Sequence, residues 1–219
     1  VDRWWQFWNH RAEQVRHIQQ HDDCIVFCKV GKYPVCMVAP SNWIFTNKVA
    51  VVENSRADLH TILLSSLFRS WVKYLSVQSL GGDNSTFSLS ISKAFSTFPL
   101  PHRTLGDAAA QLAMTFQDVL VSWSRSNTAG MTDALNAIHS RESQAPDIQE
   151  LRSLFQKIDQ AVVSAYGWDA DLLHDFRDTL DGDGAVASRH GLTDAVELRL
   201  LTKLIELNRE RTQGRSSAQ

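Results

Sequence analysis

Basic and aromatic side chains cluster at the tip of a predicted β-hairpin. Lys29, Lys32 and Tyr33 flank Val30-Gly31 within the sequence Lys-Val-Gly-Lys-Tyr-Pro. Lysine binds phosphate as a point charge, so two lysines with an aromatic ring beside them are suited to contact a nucleic-acid backbone. An ordinary solvated turn explains the same residues, and the sequence leaves these two interpretations open.

Two further cations, Arg69 and Lys73, lie off the apolar face of a predicted amphipathic helix. A polar, turn-rich segment from Gln78 to Thr86 follows, then a short strand-like run and the rigid exit Phe98–Pro101. A helix that presents a polar hairpin is suited to form a reading surface. The apolar positions of the helix recur at intervals of three and four, at Leu59, Ile62, Leu63, Leu67, Trp71 and Leu75.

The sequence contains no motif for catalysis or cofactor binding. It lacks the glycine-rich phosphate loops of nucleotide-binding proteins, the G-x-S-x-G of hydrolases and the H-E-x-x-H of metalloproteases. Asp22 and Asp23, the acids nearest to the basic hairpin, are not followed by the acid-x-Lys of Mg²⁺-dependent nucleases. We therefore predict no catalytic, cofactor-binding or metal-binding residue in this chain.

Two sequence patterns resemble metal sites only in part. A predicted helix places His10, His17 and His21 on one face with Cys24 beyond it, but no carboxylate or second cysteine at ligand spacing completes the set. Asp181-Gly182-Asp183-Gly184 begins like a calcium loop, but the required glycine and glutamate do not follow. We interpret the first as a solvated helix face and the second as a solvated loop.

Charge is distributed unevenly along the chain. Residues 1–105 carry 11 Lys and Arg against 7 Asp and Glu, a net +4, whereas residues 106–219 carry 11 against 17, a net −6. Only the first half is therefore suited to meet a polyanion. The cysteines number three, an odd count that favours a reducing compartment, and no apolar run is long enough for a membrane span.

Four large aromatic residues crowd the beginning of the chain, at Trp4, Trp5, Phe7 and Trp8. They are too dense for one amphipathic face, so we favour an element that is buried on both sides or docked on another domain over one that stacks on bases. The chain begins without an initiator Met or a signal peptide, so we expect a fragment of a longer protein.

Several segments, in their order, resemble the target-recognition domain and helical C-terminal region of MmeI-like restriction-modification enzymes (type IIL/IIG) and related phage-defence adenine DNA methyltransferases. The resemblance covers nearly the whole chain, and the order of the segments is more specific than any one of them. The segments are Arg3–Trp8 (RWWQFW), Val30–Phe45 (VGKYPVCMVAPSNWIF), Leu63–Val72 (LLSSLFRSWV), Ser92–Pro101 (SKAFSTFPLP), Leu151–Leu173 (LRSLFQKIDQAVVSAYGWDADLL) and Leu200–Arg211 (LLTKLIELNRER).

The resemblance implies a bacterial, cytoplasmic parent whose S-adenosylmethionine-dependent adenine methyltransferase domain lies outside this chain. If the parent also carries a nuclease, Mg²⁺ is implied as a further cofactor beside S-adenosylmethionine. The implied partners are double-stranded DNA and the methyltransferase domain of the same polypeptide, with no membrane. From the strand-like runs in residues 24–53 and the helical periodicity after Thr104, we predict an α+β fold, with a mixed or antiparallel sheet and packed helices in a recognition domain over residues 1–103, followed by an all-α module over residues 104–219.

In such enzymes, alternate side chains before a Phe-Pro-x-Pro exit contact base edges, often through arginines two residues apart. Those positions fall here on Thr86 and Ser88, whose hydroxyls discriminate bases weakly. We therefore extend the predicted base contacts over the whole polar segment. The predicted base-contacting residues are Gln78, Asp83, Asn84, Thr86, Ser88 and Ser90, and the predicted backbone-contacting residues are Lys29, Lys32, Tyr33, Arg69, Lys73 and Lys93.

A different function class fits the same sequence. The N-terminal aromatic cluster and the acidic helices of the second half could form a protein-interaction module that docks a partner without binding DNA. A duplex-binding assay at two salt concentrations discriminates between the two hypotheses, because binding to phosphates is strongly salt-dependent.

Overall fold

The computed structural model describes residues 12–53, 55–75, 77–78, 87–88, 90–169, 171–180 and 186–216. The N-terminal aromatic cluster and predicted base-contacting residues 83, 84 and 86 lie outside these ranges. The elements of the first half are α1 (Ala12–Ile18), β1 (Asp23–Cys28), β2 (Val30–Gly31), β3 (Cys36–Pro40), β4 (Val49–Val52), α2 (Ala57–Leu64), α3 (Ser66–Leu75), β5 (Val77–Gln78), β6 (Phe87–Ser88) and α4 (Ile91–Thr97).

A three-stranded antiparallel sheet with the order β3-β1-β4 forms the centre of the first half. Its strands are rich in β-branched, aromatic and cysteine residues, which suit a half-buried pleated surface. Ile25 and Phe27 of β1 are fully buried, and the Phe27 ring meets Phe68 of α3 edge to face at 5.4 Å. The strands on either side of the basic turn, β1 and β3, pair antiparallel, so the predicted hairpin is confirmed.

The free edge of this sheet is covered by a side chain from the second half. The Gln117 amide accepts a hydrogen bond from the backbone N–H of Val38 at 2.7 Å and donates to its carbonyl at 3.0 Å. These two bonds replace those that a neighbouring strand would make. The backbone N–H and C=O of Val38 on strand β3 are therefore satisfied without strand pairing.

The single helix predicted from Leu59 to Leu75 is two helices that meet at Ser65. Ser65 has extended backbone angles (φ −62°, ψ 156°), and its hydroxyl donates to the Ile62 carbonyl at 2.6 Å. The same hydroxyl accepts a hydrogen bond from the Phe68 N–H at 3.4 Å. Serine competes in this way with the helical backbone bonds, so Ser65 ends α2 and begins α3.

The second half is mainly helical, and its longest helix within the compact core is α8. The stripe Leu151, Leu154, Phe155 and Ile158 is buried, as its spacing predicts, and α8 packs against α2, α3, α6 and α7. The elements of this half are α5 (Asp107–Ala110), α6 (Leu112–Ser126), α7 (Met131–His139), α8 (Pro146–Ala165), β7 (His174–Leu180), β8 (Val186–Leu192) and α9 (Asp194–Ser216).

The α+β class is confirmed, but the second half is not purely helical. β7 and β8 form a two-stranded antiparallel hairpin, in register from His174↔Leu192 to Leu180↔Val186. Its loop contains the calcium-like sequence, which lies outside the described residues. The helix-period interpretation missed these strands because β7 (HDFRDTL) has apolar residues only at Phe176 and Leu180, too few to show a period of two.

The end of α8 behaves as its sequence predicts. Gly167 adopts a left-handed conformation (φ +72°) that ends the helix, and the Trp168 ring folds back to stack on Tyr166 at 4.4 Å. The Tyr166 hydroxyl donates to the carbonyl of Pro99 at 2.8 Å. The rigid exit at the end of the first half is therefore fixed to the second half.

One hydrophobic core runs through both halves of the described chain, from Ile25 to Leu204. Its continuity across residues 103–104 results from the packing of α2 and α3 against α5, α6, α8 and α9. The division into two domains at this point stays a prediction. No helix in the described ranges is both long and apolar enough to cross a membrane.

Candidate nucleic-acid interface

A second small sheet brings the predicted base-contacting strands to the basic hairpin. In the order β2-β6-β5, Ser88 lies opposite both Val30 and Val77, while Phe87 lies opposite Gly31 and Gln78. The positions of Gln78 and Ser88 are therefore adjacent to the tip that carries Lys29 and Lys32. Ser90, half-buried, precedes α4 with an extended backbone.

The three residues predicted at the hairpin tip differ in what they offer to a ligand. Lys32 is exposed, whereas the Lys29 ammonium donates to the carbonyl of Asn47 at 2.8 Å. Tyr33 is only 9% exposed and donates its hydroxyl hydrogen to Asn136 at 2.7 Å. The structure therefore places Lys32 outward and Tyr33 inward, and the predicted DNA contact of Tyr33 stays untested.

The predicted helical cations are also unequal. The Arg69 guanidinium lies 4.6 Å above the Phe155 ring and donates to Ser66 Oγ at 2.6 Å. Lys73, one turn later on α3, is exposed, as is Lys93 on α4. Arg69 is thus half-buried against the core, whereas Lys73 and Lys93 occupy exposed positions of their helices.

A basic cleft of about 70 Å³ brings three of the predicted cations and Tyr33 together with two arginines that the sequence did not indicate. Lys32, Arg69 and Lys73 line it together with Arg177 of β7 and Arg189 of β8. The two arginines are direct cross-strand partners in the hairpin. No sequence signal identifies them, because the segment His174–Leu180 shows no alternation of apolar and polar residues.

Glu197 of α9 is the carboxylate that lines this cleft. It accepts hydrogen bonds from Ser70 Oγ at 2.6 Å and from Arg177 Nη1 at 2.7 Å. Burial alone would raise the pKa of Glu197, but the charges of Lys73 and Arg177 and these two hydrogen bonds outweigh it, so the pKa is lowered. Arg177 also pairs with Asp194.

The basic side chains of the cleft repel one another. Burial lowers the pKa of Lys73, the charge of Glu197 opposes this, and the charges of Arg177, Arg69 and Arg189 lower it further. Burial likewise lowers the pKa of Arg69, against the attraction of nearby carboxylates. The cleft is therefore a concentration of positive charge that one carboxylate compensates only in part.

Two histidines behind these cations are neutral at physiological pH. Burial lowers the pKa of His139 well below its usual value and that of His190 to about 4, and neighbouring positive charges add to both shifts. His139 Nδ1 accepts the backbone N–H of His190 at 3.2 Å, and its ring stacks on Tyr33 at 4.9 Å. The charge of the cleft at neutral pH therefore comes from lysine and arginine.

Asp159 of α8 connects the elements beneath the cleft. It is fully buried, and its Oδ1 accepts the backbone N–H of Ser66 at the beginning of α3 at 2.6 Å. Its Oδ2 lies 2.9 Å from His174 Nε2, an ion-pair distance without hydrogen-bond geometry. One carboxylate thus fixes α3, which carries Arg69 and Lys73, relative to β7, which carries Arg177.

A larger, open groove of about 1110 Å³ lies between the central sheet and α6. Trp43 and Ile44 on its border are exposed, at 62% and 94% of their surface. Exposed side chains of this size are uncommon as a pair, so the groove is a second surface that a partner could contact. Within the described ranges, no group of three or more histidine, cysteine or acidic residues is placed to hold a metal ion.

Comparison with known proteins identifies a shared fold. No protein-family model and no curated protein matches the sequence. Among solved structures, the chain is similar to the type IIL restriction-modification enzyme MmeI in complex with DNA, with a TM-score of 0.57 and 17% sequence identity over 89% of this chain. The chain spans 22% of that enzyme's length. The predicted resemblance is thereby confirmed at the level of the fold.

Proposed function

We propose that this chain is the DNA target-recognition part of an MmeI-like restriction-modification enzyme. The observation that carries the proposal is the fold that the chain shares, over 89% of its length, with an enzyme solved in complex with DNA. The order of the sequence segments and the positive first half support it independently. Fold alone does not fix function, so the site has to supply the rest of the argument.

The geometry supports a division of roles within the interface. Lys32, Lys73 and Lys93 are exposed cations on three different elements, suited to position a duplex through its phosphates. The predicted readers belong to residues 78–90, and the small sheet holds both ends of that segment beside Lys32. In this proposal the lysines position the duplex and residues of the 78–90 segment contact the bases, the two roles that direct readout of a groove requires.

The parent enzyme is part of the same proposal. It is an adenine-specific DNA methyltransferase that uses S-adenosylmethionine, with or without an endonuclease that uses Mg²⁺, and these activities belong to domains beyond this chain. The chain itself contributes recognition and no catalysis. Methylome sequencing of cells that carry the full-length parent tests this point, since a modified adenine within a defined sequence is expected and its absence despite expression would refute the proposal.

Duplex binding by the chain itself is tested with Lys32→Gln. We expect all duplex sequences to bind more weakly by a similar factor, with the slope of log affinity against log salt reduced by about 1, because one phosphate contact is lost. Electrophoretic shift assays at two salt concentrations measure both quantities. Lys157→Gln, which removes an exposed lysine of α8 remote in sequence from the interface, is the matched control and should change neither.

Base readout is tested by substituting Gln78 or Ser88. Each change should alter the preference at one position of the recognised sequence and leave the salt slope unchanged, because base contacts release few counterions. A selection from randomised duplexes gives the preference directly. Failure of the unmodified chain to bind any duplex at low salt, together with tight binding to a protein partner, would instead favour the protein-interaction hypothesis.

A further inference from the structure

The β7-β8 hairpin carries an electrostatically unfavourable pair at its centre. Arg177 and Arg189 are directly opposite one another. Like charges at directly opposed positions destabilise a two-stranded ribbon. Arg177 is compensated by Asp194 and Glu197, and the Arg189 guanidinium lies 4.7 Å above the Tyr33 ring. The hairpin thus holds two guanidinium groups at one place, where its own pairing would favour opposite charges.

Three more cations, from two other parts of the chain, line the same cleft. Lys32 comes from the β2-β3 connection, and Arg69 and Lys73 come from α3. In the described part of the chain, no carboxylate lies within ion-pair distance of any of these three. Five cationic side chains and one carboxylate, Glu197, therefore line a single cleft.

The size of the cleft limits what it can bind. A cleft of about 70 Å³ is small, and its size suits a group of a few heavy atoms. Guanidinium groups donate in a planar fork that matches oxyanions, and Lys73 adds a mobile point charge at the border.

We propose that this cleft is an oxyanion site that binds one phosphate group, held by Arg189 and Lys73 with Lys32 and Arg69 as supporting charges. Glu197 keeps Arg177 and Ser70 in place and leaves the cleft with a net positive charge. The site does not depend on sequence-specific reading of DNA, because a free phosphate would occupy it equally well. Its phosphate comes either from a duplex backbone or from a free phosphate or phosphomonoester.

Isothermal titration calorimetry with inorganic phosphate at neutral pH, with sodium chloride holding the ionic strength constant, tests the site. We expect saturable binding by the 219-residue chain and about tenfold weaker binding by Lys73→Gln and by Arg189→Gln, since each loses a charge-assisted hydrogen bond. The exposed Lys157→Gln variant is the control and should bind phosphate as the unmodified chain does.

Lys73→Gln is the deciding variant because glutamine keeps a long polar side chain and removes the charge. Since burial lowers the pKa of Lys73, the melting temperature of this variant is measured in parallel. Arg189→Gln removes a contact with Tyr33 and requires a parallel measurement of the melting temperature. Absence of saturable heat with the unmodified chain would overturn the proposal. Equal phosphate affinity of the unmodified chain and Lys73→Gln would overturn it as well.

Duplex competition identifies the source of the phosphate. If phosphate displaces duplex at constant ionic strength and Lys73→Gln weakens duplex binding, the natural ligand is a backbone phosphate. If phosphate binds and duplex affinity is unaffected, the ligand is a free phosphate or a monoester. If the unmodified chain binds phosphate but no duplex, the proposed function is refuted and the oxyanion site is not. If it binds duplex but no phosphate, the oxyanion site is refuted and the proposed function is not.

Discussion

Arg152 is a buried cation whose bonds are all structural. It is 5% exposed, and burial lowers its pKa. Its guanidinium satisfies carbonyl groups around the end of α7 that have no further turn of helix to bond to. The accepting carbonyls belong to Ala137, Ile138, Ser140 and Ser143.

Arg152→Met is expected to destabilise the protein by about 2 to 4 kcal/mol, because the carbonyls of Ile138 and Ser143 lose their donor, whereas those of Ala137 and Ser140 keep a backbone donor. Urea denaturation followed by circular dichroism measures the free energy of unfolding. Arg199→Met, at an exposed position of α9, is the matched control and should cost less than about 0.5 kcal/mol. A similar loss in both variants would contradict the structural role of Arg152.

His60 makes the stability of the protein sensitive to acid. It is fully buried, neither ring nitrogen has a hydrogen-bond partner among the described residues, and burial lowers its pKa to about 4. The unfolded chain, with a histidine pKa of about 6.5, takes up the proton first. Stability contributed by neutral His60 is therefore complete above pH 6.5 and is lost as the pH falls toward 4.

For His60→Leu, we expect the difference in unfolding free energy between pH 7 and pH 5 to shrink by about 2 kcal/mol. His17→Leu, on an exposed face of α1, is the control and should leave the difference nearly unchanged. Urea titrations at the two pH values supply the measurement. An unchanged pH dependence in His60→Leu would show that His60 is not the responsible group.

At the scale of the elements, most features that the sequence predicted correctly depend on residues close together in the sequence. The apolar spacing of α8, the glycine at its end and the β-branched runs of β1, β3 and β4 act over a few residues, so they are visible in one dimension. The break at Ser65 was missed because a serine interrupts a helix only when its hydroxyl finds backbone partners. Such competition is decided by local geometry that spacing does not contain.

The end of α8 gives a quantitative test at this scale. Gly167→Ala should cost about 1 kcal/mol, because alanine is strained at φ +72° although no atom would crowd its Cβ. Gly214→Ala, within helix α9 where φ is not positive and the space is equally open, should be neutral or slightly stabilising. Equal effects of the two substitutions on the melting temperature would contradict the argument from backbone strain.

At the scale of the whole molecule, contacts between distant residues hold the two halves together. Ser66 bonds to Asp159, Tyr33 to Asn136, Ser70 to Glu197 and Gln117 to Val38. None of these pairs has a sequence signature. The same holds for the basic cleft, whose Arg177 and Arg189 became neighbours of Lys73 only through folding, so the sequence identified part of the site and could not identify the rest.

These contacts predict that the chain unfolds in one cooperative step. Tryptophan fluorescence and far-ultraviolet circular dichroism should give coincident urea transitions, because the core is continuous across residues 103–104. Two separated transitions would instead support independent domains with a boundary near residue 103. The same measurement on Tyr166→Phe, which loses the bond to Pro99, should show lower stability by about 1 kcal/mol and still one transition.

The hydrogen bond between Ser70 and Glu197 joins residues that are 127 positions apart in the sequence, so it forms late during synthesis of the chain. At a synthesis rate of about 5 to 20 residues per second, α3 leaves the ribosome about 6 to 25 s before its carboxylate partner does. During that interval Lys73 carries its charge on a helix without the surface of α9. Completion of the polypeptide, and not formation of the local helix, therefore sets the moment at which the cleft is assembled.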